Sequence, residues 1–236
     1  INTAIALDLG TVGVGRNLVV ENDGGGITDS GVITVAGTSS FTTTTDNDDI
    51  TLNSTNALSG AVTFTTNGTT GNVTIDNGTA AINIGTSSIA GSLTAISGNV
   101  GGISDSGTVT VTGTGSFATD ANSGVLNLNQ LAVTGSLTLN TNGTGTATIV
   151  NATAIDLAAN TTIGGATSIT ATTGNITDSG TFTVGAGGAT FVTSANNATI
   201  ALGTLAVTGD ITLTTNDDAG ADASASITNA TAISFG

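Results

Sequence analysis

The sequence has no cysteine, proline, methionine, tryptophan, tyrosine or histidine, and its 236 residues include one basic residue, Arg16. Without cysteine, the fold cannot draw on disulfide bonds for stability. Because the formal net charge is −15 and there is one cation, the chain lacks the lysines and arginines that neutralise phosphate groups. We therefore expect no nucleic-acid partner and no polybasic contact with a membrane.

Long apolar runs are also missing. No stretch approaches the roughly 18 apolar residues that a membrane-spanning segment requires, and the chain does not open with a basic and hydrophobic leader. We therefore expect no membrane insertion by this segment. Since an initiator methionine is absent as well, we interpret the chain as a processed or excerpted piece of a longer protein.

The residues that are present are those of strands and turns. Threonine, glycine, alanine, asparagine, serine and the aliphatic residues dominate, with 35 glycines, and the long straight side chains that favour helices are few. The hydrophobic fraction is 38% and the mean hydropathy is +0.34. A chain of this composition has enough apolar surface to fold.

One pentad occurs three times. "GITDSGVITV" covers residues 26–35, "GISDSGTVTV" covers 102–111 and "NITDSGTFTV" covers 175–184, at offsets of 76 and 73. Other landmarks keep the same period of about 75 residues, which establishes an internal repeat. These landmarks are "GAVTFTTNG" (60–68), "GSLTLNTNG" (135–143) and "GDITLTTND" (209–217); Phe41, Phe117 and Phe191; and Ala81-Ile82, Ala154-Ile155 and Ala232-Ile233, with Ala4-Ile5 one period earlier.

Within each repeat, apolar residues alternate with polar ones over short stretches, as in Val109 and Val111, which indicates strands with one buried face. Turn residues separate these strands every eight to twelve positions, giving about nine strands per repeat. Because equal residue types return at a near-constant period, a parallel β-solenoid is favoured over a sandwich.

We predict an all-β fold: one continuous parallel β-helix over residues 1–236. Its repeat units are 1–26 (partial), 27–102, 103–175 and 176–236. At three strands per coil, each repeat makes about three coils and the chain nine to ten. The strict six-residue period of left-handed hexapeptide helices is absent, so we predict a right-handed winding.

The pentad predicts a corner of the solenoid. Its Ile points inward, its Asp and Ser bond neighbouring backbone groups, and its Gly adopts a conformation closed to other residues. Inward-pointing residues should recur at equivalent sites three coils apart. These residues are Ile27, Ile103, Ile176, Phe41, Phe117, Phe191, Leu139 and Leu213.

The stretch from "GSLTLNTNG" through "ATAIDLAANTTIGGATSITATTGNITDSGTFTVGAGGATFVT" (residues 135–193) resembles the repeats of filamentous-haemagglutinin-like and related giant β-strand-repeat proteins on Gram-negative cell surfaces. The similarity covers essentially the whole chain. It implies a secreted parallel β-helix that forms a stalk or fibre, exported by an autotransporter or two-partner route, with adhesion often carried by separate regions.

Two acidic clusters are the candidates for chemistry, one formed by Asp46, Asp48 and Asp49 and the other by Asp217, Asp218 and Asp222. Paired carboxylates cleave polysaccharides in some enzymes, but these clusters do not recur with the repeat and have no aromatic residues beside them. With no histidine or lysine as a base, we expect no enzyme. Their oxygens make the clusters calcium candidates, although a solvated acidic turn is the favoured interpretation and we expect no other cofactor.

Two further patterns are present. Ten Asn-x-Ser/Thr sequons occur, most of them expected by chance in a chain rich in Asn and Thr. Thr-x-Thr strands such as "TVTVT" (108–112) suggest an ice-binding surface as a minor hypothesis, since that surface needs the motif in register on every coil. The sequons are at Asn53, Asn67, Asn72, Asn77, Asn142, Asn151, Asn160, Asn175, Asn197 and Asn229.

From these observations we predict a structural role: a rigid, acidic, extracellular fibre or stalk segment of a bacterial surface or secreted protein. The alternative is an adhesin module that binds carbohydrate or a cell-surface receptor through one face of the solenoid. The expected partners are further repeats of the same chain or copies of it stacked end to end, because the two ends lie at the same point of the repeat and neither carries a polar cap.

Overall fold

A computed structural model describes residues 5–218 and 222–236, which form 29 β-strands and no helix. None of the described segments is therefore a helix long and apolar enough to cross a membrane. The strands are β1 (Leu7–Asp8), β2 (Val12–Val14), β3 (Leu18–Asn22), β4 (Ile27–Thr28), β5 (Ile33–Val35), β6 (Ser39–Asp46), β7 (Ile50–Leu52), β8 (Ala57–Leu58), β9 (Ala61–Asn67), β10 (Val73–Asp76), β11 (Ile82–Ile84), β12 (Ser87–Ile89), β13 (Leu93–Ser97), β14 (Ile103–Asp105), β15 (Val109–Val111), β16 (Gly115–Asn122), β17 (Leu126–Val133), β18 (Leu137–Asn142), β19 (Ala147–Asn151), β20 (Ile155–Leu157), β21 (Thr161–Ile163), β22 (Thr167–Ala171), β23 (Ile176–Asp178), β24 (Phe182–Val184), β25 (Ala189–Asn196), β26 (Ile200–Val207), β27 (Asp210–Asn216), β28 (Ala225–Asn229) and β29 (Ser234–Phe235).

The strands form two large parallel sheets and one small one. Sheet 1 has 13 strands in the order β1-β4-β7-β10-β13-β16-β18-β20-β23-β26-β24-β21, with β28 on β26. Sheet 2 also has 13 strands and runs β14-β11-β9-β12-β15-β17-β19-β22-β25-β27-β29, with β6 on β9 and β3 on β6. Sheet 3 contains β2, β5 and β8.

Each strand pairs with the strand one coil later, so the chain winds as a solenoid. In sheet 1, successive pairings bring Leu7, Ile27, Ile50, Val73, Leu93, Gly115 and Leu137 to one position on successive coils. The described residues make about 10 turns. The prediction of a parallel β-solenoid of nine to ten coils is confirmed, and the right-handed winding stays a prediction.

The repeat spans three and a half coils, so the prediction of about three coils is too low. Ile27 lies in sheet 1, Ile103 in sheet 2 and Ile176 in sheet 1 again. Seven pairing steps lead from Ile27 to Asp178, which is two residues beyond Ile176. The physical reason is coil length. All seven steps take 20 to 23 residues, fewer than the roughly 25 residues per coil that three coils in a repeat of about 75 residues would need.

Each coil made of three strands has one long side and two short sides, while the coils of β16–β17, β18–β19 and β26–β27 have two strands. In the coil of β23, β24 and β25, the strands have 3, 3 and 8 residues. The long side lies on sheet 2 at β6 and β9, on sheet 1 at β13, β16 and β18, and on sheet 2 again at β22, β25 and β27. The half coil in each repeat therefore moves the long side from one large sheet to the other.

The interior is a continuous column of aliphatic and phenylalanine side chains. The inward orientation is confirmed for Ile27, Ile103, Ile176, the three repeating Phe and Leu139, all of which are 0% exposed. Leu213, near the end of the described coils, is partly buried against the same core. The equivalent Phe side chains are three and a half coils apart on opposite sheets, which corrects the expected three-coil spacing.

Phenylalanine rings contact each other both between neighbouring coils and within one coil. Phe41 and Phe64 stack with ring centroids 6.0 Å apart and an interplanar angle of 19°. The Ala4 member of the Ala-Ile landmark lies outside the described residues, while Ile233 falls just before β29.

Truncation of one repeating phenylalanine tests the core. Phe117 pairs with Ala95 on one neighbouring coil and Leu139 on the next. We expect Phe117→Ala to lower the free energy of unfolding by about 3 kcal/mol, because the coils close only partly over the cavity. Denaturant titration followed by circular dichroism measures this change. Val19→Ala is the control, since Val19 is 76% exposed. Equal stability of the two variants would contradict the proposed stack.

Candidate functional site

The aspartates of the three pentads bind the next coil. Each carboxylate accepts hydrogen bonds from two successive backbone N–H groups in the corner one coil later, at distances between 2.8 and 3.2 Å. We call this contact the aspartate clamp. Its members are Asp29 with Asn53 and Ser54, Asp105 with Asn129 and Gln130, and Asp178 with Gly203 and Thr204.

The clamp provides acceptors for backbone N–H groups that have no carbonyl partner at the corner. Where a strand bends away from its neighbour, its N–H groups lose the carbonyl partners of the ladder, and an unpaired backbone donor is costly when shielded from water. A carboxylate supplies two acceptor oxygens, and its charge strengthens both bonds. In the first repeat the Asn56 side chain adds a third bond of 2.6 Å to Asp29, whose side chain is 8% exposed.

The glycine of the pentad has a different role from the predicted one. Gly31, Gly107 and Gly180 are not among the residues with positive φ. A Cβ atom at Gly180 would lie 2.3 Å from the Cα atom of Ala159, and one at Gly107 would lie 2.6 Å from the backbone nitrogen of Thr86. Close approach of the previous coil, rather than a left-handed backbone, excludes other residues here.

A second contact uses asparagine as a substitute for a strand residue. In each case Oδ1 accepts the backbone N–H of a residue on the previous coil at 2.8 Å, and Nδ2 donates to the carbonyl oxygen of that same residue at 2.9 to 3.1 Å. The side-chain amide thus reproduces both bonds of a parallel ladder. These asparagine bridges join Asn77 to Leu58, Asn151 to Val133 and Asn229 to Val207.

Three of the ten sequons are therefore structural elements of the solenoid. The sequon hydroxyls of Thr153 and Thr231 donate to the same carbonyl oxygens that the asparagines contact. The side chains of Asn77 and Asn151 are 1% and 0% exposed. Repetition of these sequons reflects coil packing, and the buried amide nitrogens of Asn77 and Asn151 are inaccessible to a glycosyltransferase in the folded chain.

The first acidic cluster lies at the corner between β6 and β7. Asp48 accepts a hydrogen bond from the Gly25 N–H at 2.8 Å. Asp49 accepts bonds from the backbone and the side-chain amide of Asn72 at 2.7 and 3.1 Å. Asp46 is exposed at the end of β6. Two of the three carboxylates thus bind a neighbouring coil.

The second acidic cluster follows β27. Asp218 accepts bonds from the side-chain amides of Asn196 and Asn197 at 3.2 and 2.9 Å, Asp217 bonds within its own turn, and Asp222 is exposed. Across the described residues, no group of three or more metal-ligating side chains is arranged to hold an ion. Calcium binding at either cluster stays a prediction.

A related acidic contact lies at the first described coils. Hydrogen bonds from the Ser30 side chain and from the N–H groups of Gly10 and Ser30 hold the pKa of Asp8 below its usual value, against a small opposing effect of burial. A depressed carboxyl pKa means that the charged form favours the folded state. That contribution is present above the unfolded pKa and is lost as the pH falls through the folded pKa.

Two shallow grooves recur at equivalent places in the second and third repeats. One, of about 190 Å³, is lined by residues that include Gln130 and Leu131. The other, of about 250 Å³, is lined by residues that include Thr204 and Leu205. Their walls are threonine, alanine, glycine, amide and aliphatic groups, with no aromatic ring. These grooves cannot be predicted from the sequence, because each forms between residues of three or four successive coils.

Removal of one clamp tests its contribution to stability. We expect Asp105→Ala to lower the free energy of unfolding by about 1 kcal/mol, because both hydrogen bonds are exposed and solvent weakens exposed contacts of a charged group. Asp105→Asn keeps one acceptor oxygen and should cost less. Asp120→Ala is the matched control at an exposed position. A loss as large for the control as for Asp105→Ala would show that the clamp itself contributes nothing.

Chelation tests the acidic clusters. We expect EDTA to leave the melting temperature unchanged, because the carboxylates of Asp48, Asp49 and Asp218 already accept hydrogen bonds within the fold. A metal bound only to the native state would raise the melting temperature. Differential scanning calorimetry measures it, with a sodium chloride sample of matched ionic strength as the control. A fall of many degrees that added calcium reverses would establish a calcium site.

Comparison with known proteins adds a family assignment to this geometry. No curated protein matches the chain, and no solved structure matches it. A family model does match it over residues 1–65 and 70–125, which together make up half of the chain. The chain belongs to the family described as repeats of unknown function (DUF5649).

Proposed function

We propose that this chain is a structural segment of an extracellular fibre or stalk on a bacterial surface or secreted protein. The observation that carries the proposal is the unbroken ladder: two 13-stranded parallel sheets run along the solenoid, and the aspartate clamp and the asparagine bridge recur along it. At about 4.8 Å per coil, ten coils make a rod of roughly 48 Å.

The chemistry of the surface agrees with a spacing role outside the cell. Sixteen acidic residues against one basic residue keep a rod soluble and discourage nonspecific association. Histidine and lysine are absent from the sequence, and we propose a non-enzymatic role. The extracellular location and the likeness to haemagglutinin-type fibres rest on the sequence resemblance.

The proposed partners along the axis are further coils of the same kind, either later repeats of one polypeptide or other copies. Support comes from the repeat itself: clamps, bridges and long sides return every three and a half coils, so another repeat continues the ladder without a change of contact. No partner along the sides is needed for a stalk.

An adhesin module is the second candidate. One observation favours it: the grooves at Gln130 and Thr204 occupy equivalent places in successive repeats. Gln130 lies in β17 of sheet 2 and Thr204 in β26 of sheet 1, so each groove offers a separate site on a different side of the rod. Binding to carbohydrate that falls in each of Gln130→Ala and Thr204→Ala and is lost in the double variant would favour this function over a purely structural one.

Duplication of one repeat tests the stalk. A second copy of residues 103–175 inserted after residue 175 should lengthen the rod by about 17 Å, because three and a half coils are added at about 4.8 Å each. Small-angle X-ray scattering measures the maximum dimension. The control is an insert of equal length rich in glycine and serine, which should add a flexible loop. An unchanged rod length after the repeat insertion would refute the solenoid stalk.

The location needs a separate measurement. Antibody raised against the folded chain should label intact cells of the source organism before permeabilisation. Labelling that appears after permeabilisation alone would contradict an extracellular fibre and leave the rod geometry unaffected.

A further inference from the structure

Three asparagines of this chain are followed directly by glycine: Asn67, Asn77 and Asn142. In such a pair the backbone nitrogen of the glycine can attack the side-chain carbon Cγ of the asparagine. Glycine leaves this nitrogen open, because it has no Cβ atom and reaches backbone conformations that other residues do not. Asn67 and Asn142 even share the tetrapeptide "TNGT". A difference in reactivity among the pairs must therefore come from the fold.

The fold blocks this attack at Asn77. The side-chain amide of Asn77 forms the asparagine bridge to Leu58, and the residue is 1% exposed. The Gly78 N–H donates to the Asp76 carboxylate at 2.8 Å, so it is not directed at the Asn77 side chain. Attack requires the bridge to break first, and the small population of that open state limits the rate.

At Asn142 the two reacting groups are exposed and close together. Asn142 is the last residue of β18, and Gly143 follows it at the surface. The Gly143 N–H donates to Oδ1 of Asn142 at 2.8 Å, a contact that neither of the other two pairs makes among the described residues. Because a C=O bond is about 1.2 Å long, Cγ lies within about 4 Å of this nitrogen. Rotation about the Cβ–Cγ bond turns the face of Cγ toward the nitrogen without moving the backbone.

The amide group that must leave is held more weakly at Asn142 than at Asn67. Nδ2 of Asn142 donates one exposed hydrogen bond, to the carbonyl oxygen of Asp120 at 3.2 Å. Nδ2 of Asn67 donates to two carbonyl oxygens, those of Thr43 and Thr44, at 3.3 and 3.0 Å. Of the two exposed pairs, the pair at residues 142 and 143 thus has both the closer nucleophile and the freer leaving group.

We propose that Asn142 is a modification site at which the folded chain deamidates spontaneously. The Gly143 nitrogen loses its proton and forms a bond to Cγ, the Cγ–Nδ2 bond breaks, and Nδ2 leaves as ammonia with that proton. The product is a five-membered succinimide ring. One water molecule then opens the ring at either carbonyl group, which gives isoaspartate or aspartate. Water is the one co-reactant.

The modification alters the contact between two coils. The backbone carbonyl of Asn142 accepts hydrogen bonds from the N–H groups of Ser123 on the previous coil and Gly145 in its own corner, at 2.9 and 3.1 Å. In isoaspartate the main chain runs through Cγ, and this carbonyl becomes part of a carboxylate on a branch. The Nδ2 bond to Asp120 is lost as well. Deamidation should therefore open the corner between β18 and β19 and leave the aspartate clamp at Asp105 intact.

The test is to incubate the folded chain at mildly alkaline pH, which favours loss of the amide proton. Cleavage before aspartate places the three asparagines in different peptides, and mass spectrometry measures the conversion of each. We expect Asn142 to convert at least about tenfold faster than Asn77, which must first leave its bridge. Asn142 should also convert faster than Asn67. In denaturant the rates at Asn67 and Asn142 should become equal.

The control variant is Asn142→Gln, which keeps a side-chain amide but must close a larger ring. It should stay unmodified at residue 142 and leave the rate at Asn67 unchanged, with circular dichroism establishing that the β-solenoid is retained. In the aged wild-type chain, hydrogen exchange should become faster at Ser123 and Gly145 and stay slow at Asn129 in the clamp.

Two results would overturn the proposal. One is a rate at Asn142 in the folded chain that is equal to or below the rate at Asn67. The other is a ratio of the rates at Asn142 and Asn77 that denaturant leaves unchanged. Neither result would affect the stalk function, which depends on rod length.

Discussion

Backbone hydrogen bonding between coils is the constraint on which this structure depends. A chain that winds about an axis has no sequence-adjacent strand to pair with, so every N–H and C=O group must find its partner roughly one coil away. Along the sides the parallel ladder meets this requirement. At the corners it fails, and there the chain supplies side chains. The aspartate clamp satisfies two amides at once, and the asparagine bridge satisfies one amide and one carbonyl of a single residue.

This constraint also explains a composition that would otherwise look arbitrary. Proline would remove a donor from the ladder, and the chain has none. Glycines such as Gly107 and Gly180 stand where the previous coil leaves no room for a Cβ atom. Asparagine, aspartate and threonine are abundant because short polar side chains reach backbone groups of the neighbouring coil. The sequence motifs thus recur because the same backbone groups need hydrogen-bond partners at equivalent corners.

Much of the fold could be predicted from residues alone. Alternation in stretches such as Val109 to Val111 gave the strands, and the landmarks at Phe41, Phe117 and Phe191 gave the repeat, because inward positions tolerate few residue types. Coil length could not be predicted in the same way. It depends on how many residues each corner takes, and the pairing Leu93 to Gly115 is set by long-range backbone contacts that leave no periodic signal.

The candidate sites could likewise be predicted only in part from the sequence. Asp105 was recognisable as a corner residue, but its partners Asn129 and Gln130 are remote in sequence and contribute only backbone groups. The sequence singled out the acidic clusters as calcium candidates because of their charge. In the structure, Asp48 and Asp49 accept hydrogen bonds from neighbouring coils.

The half coil in each repeat gives the rod an approximate twofold screw symmetry. Equivalent surfaces of successive repeats face opposite directions, and surfaces that face the same way recur only every seventh coil, about 34 Å along the axis. A feature that occurs once per repeat therefore lies on opposite sides of the rod in successive repeats. Such a rod can bridge two neighbours in one plane, so that parallel rods would form a flat raft instead of a round bundle. A repeat with a whole number of coils would display every copy along a single edge.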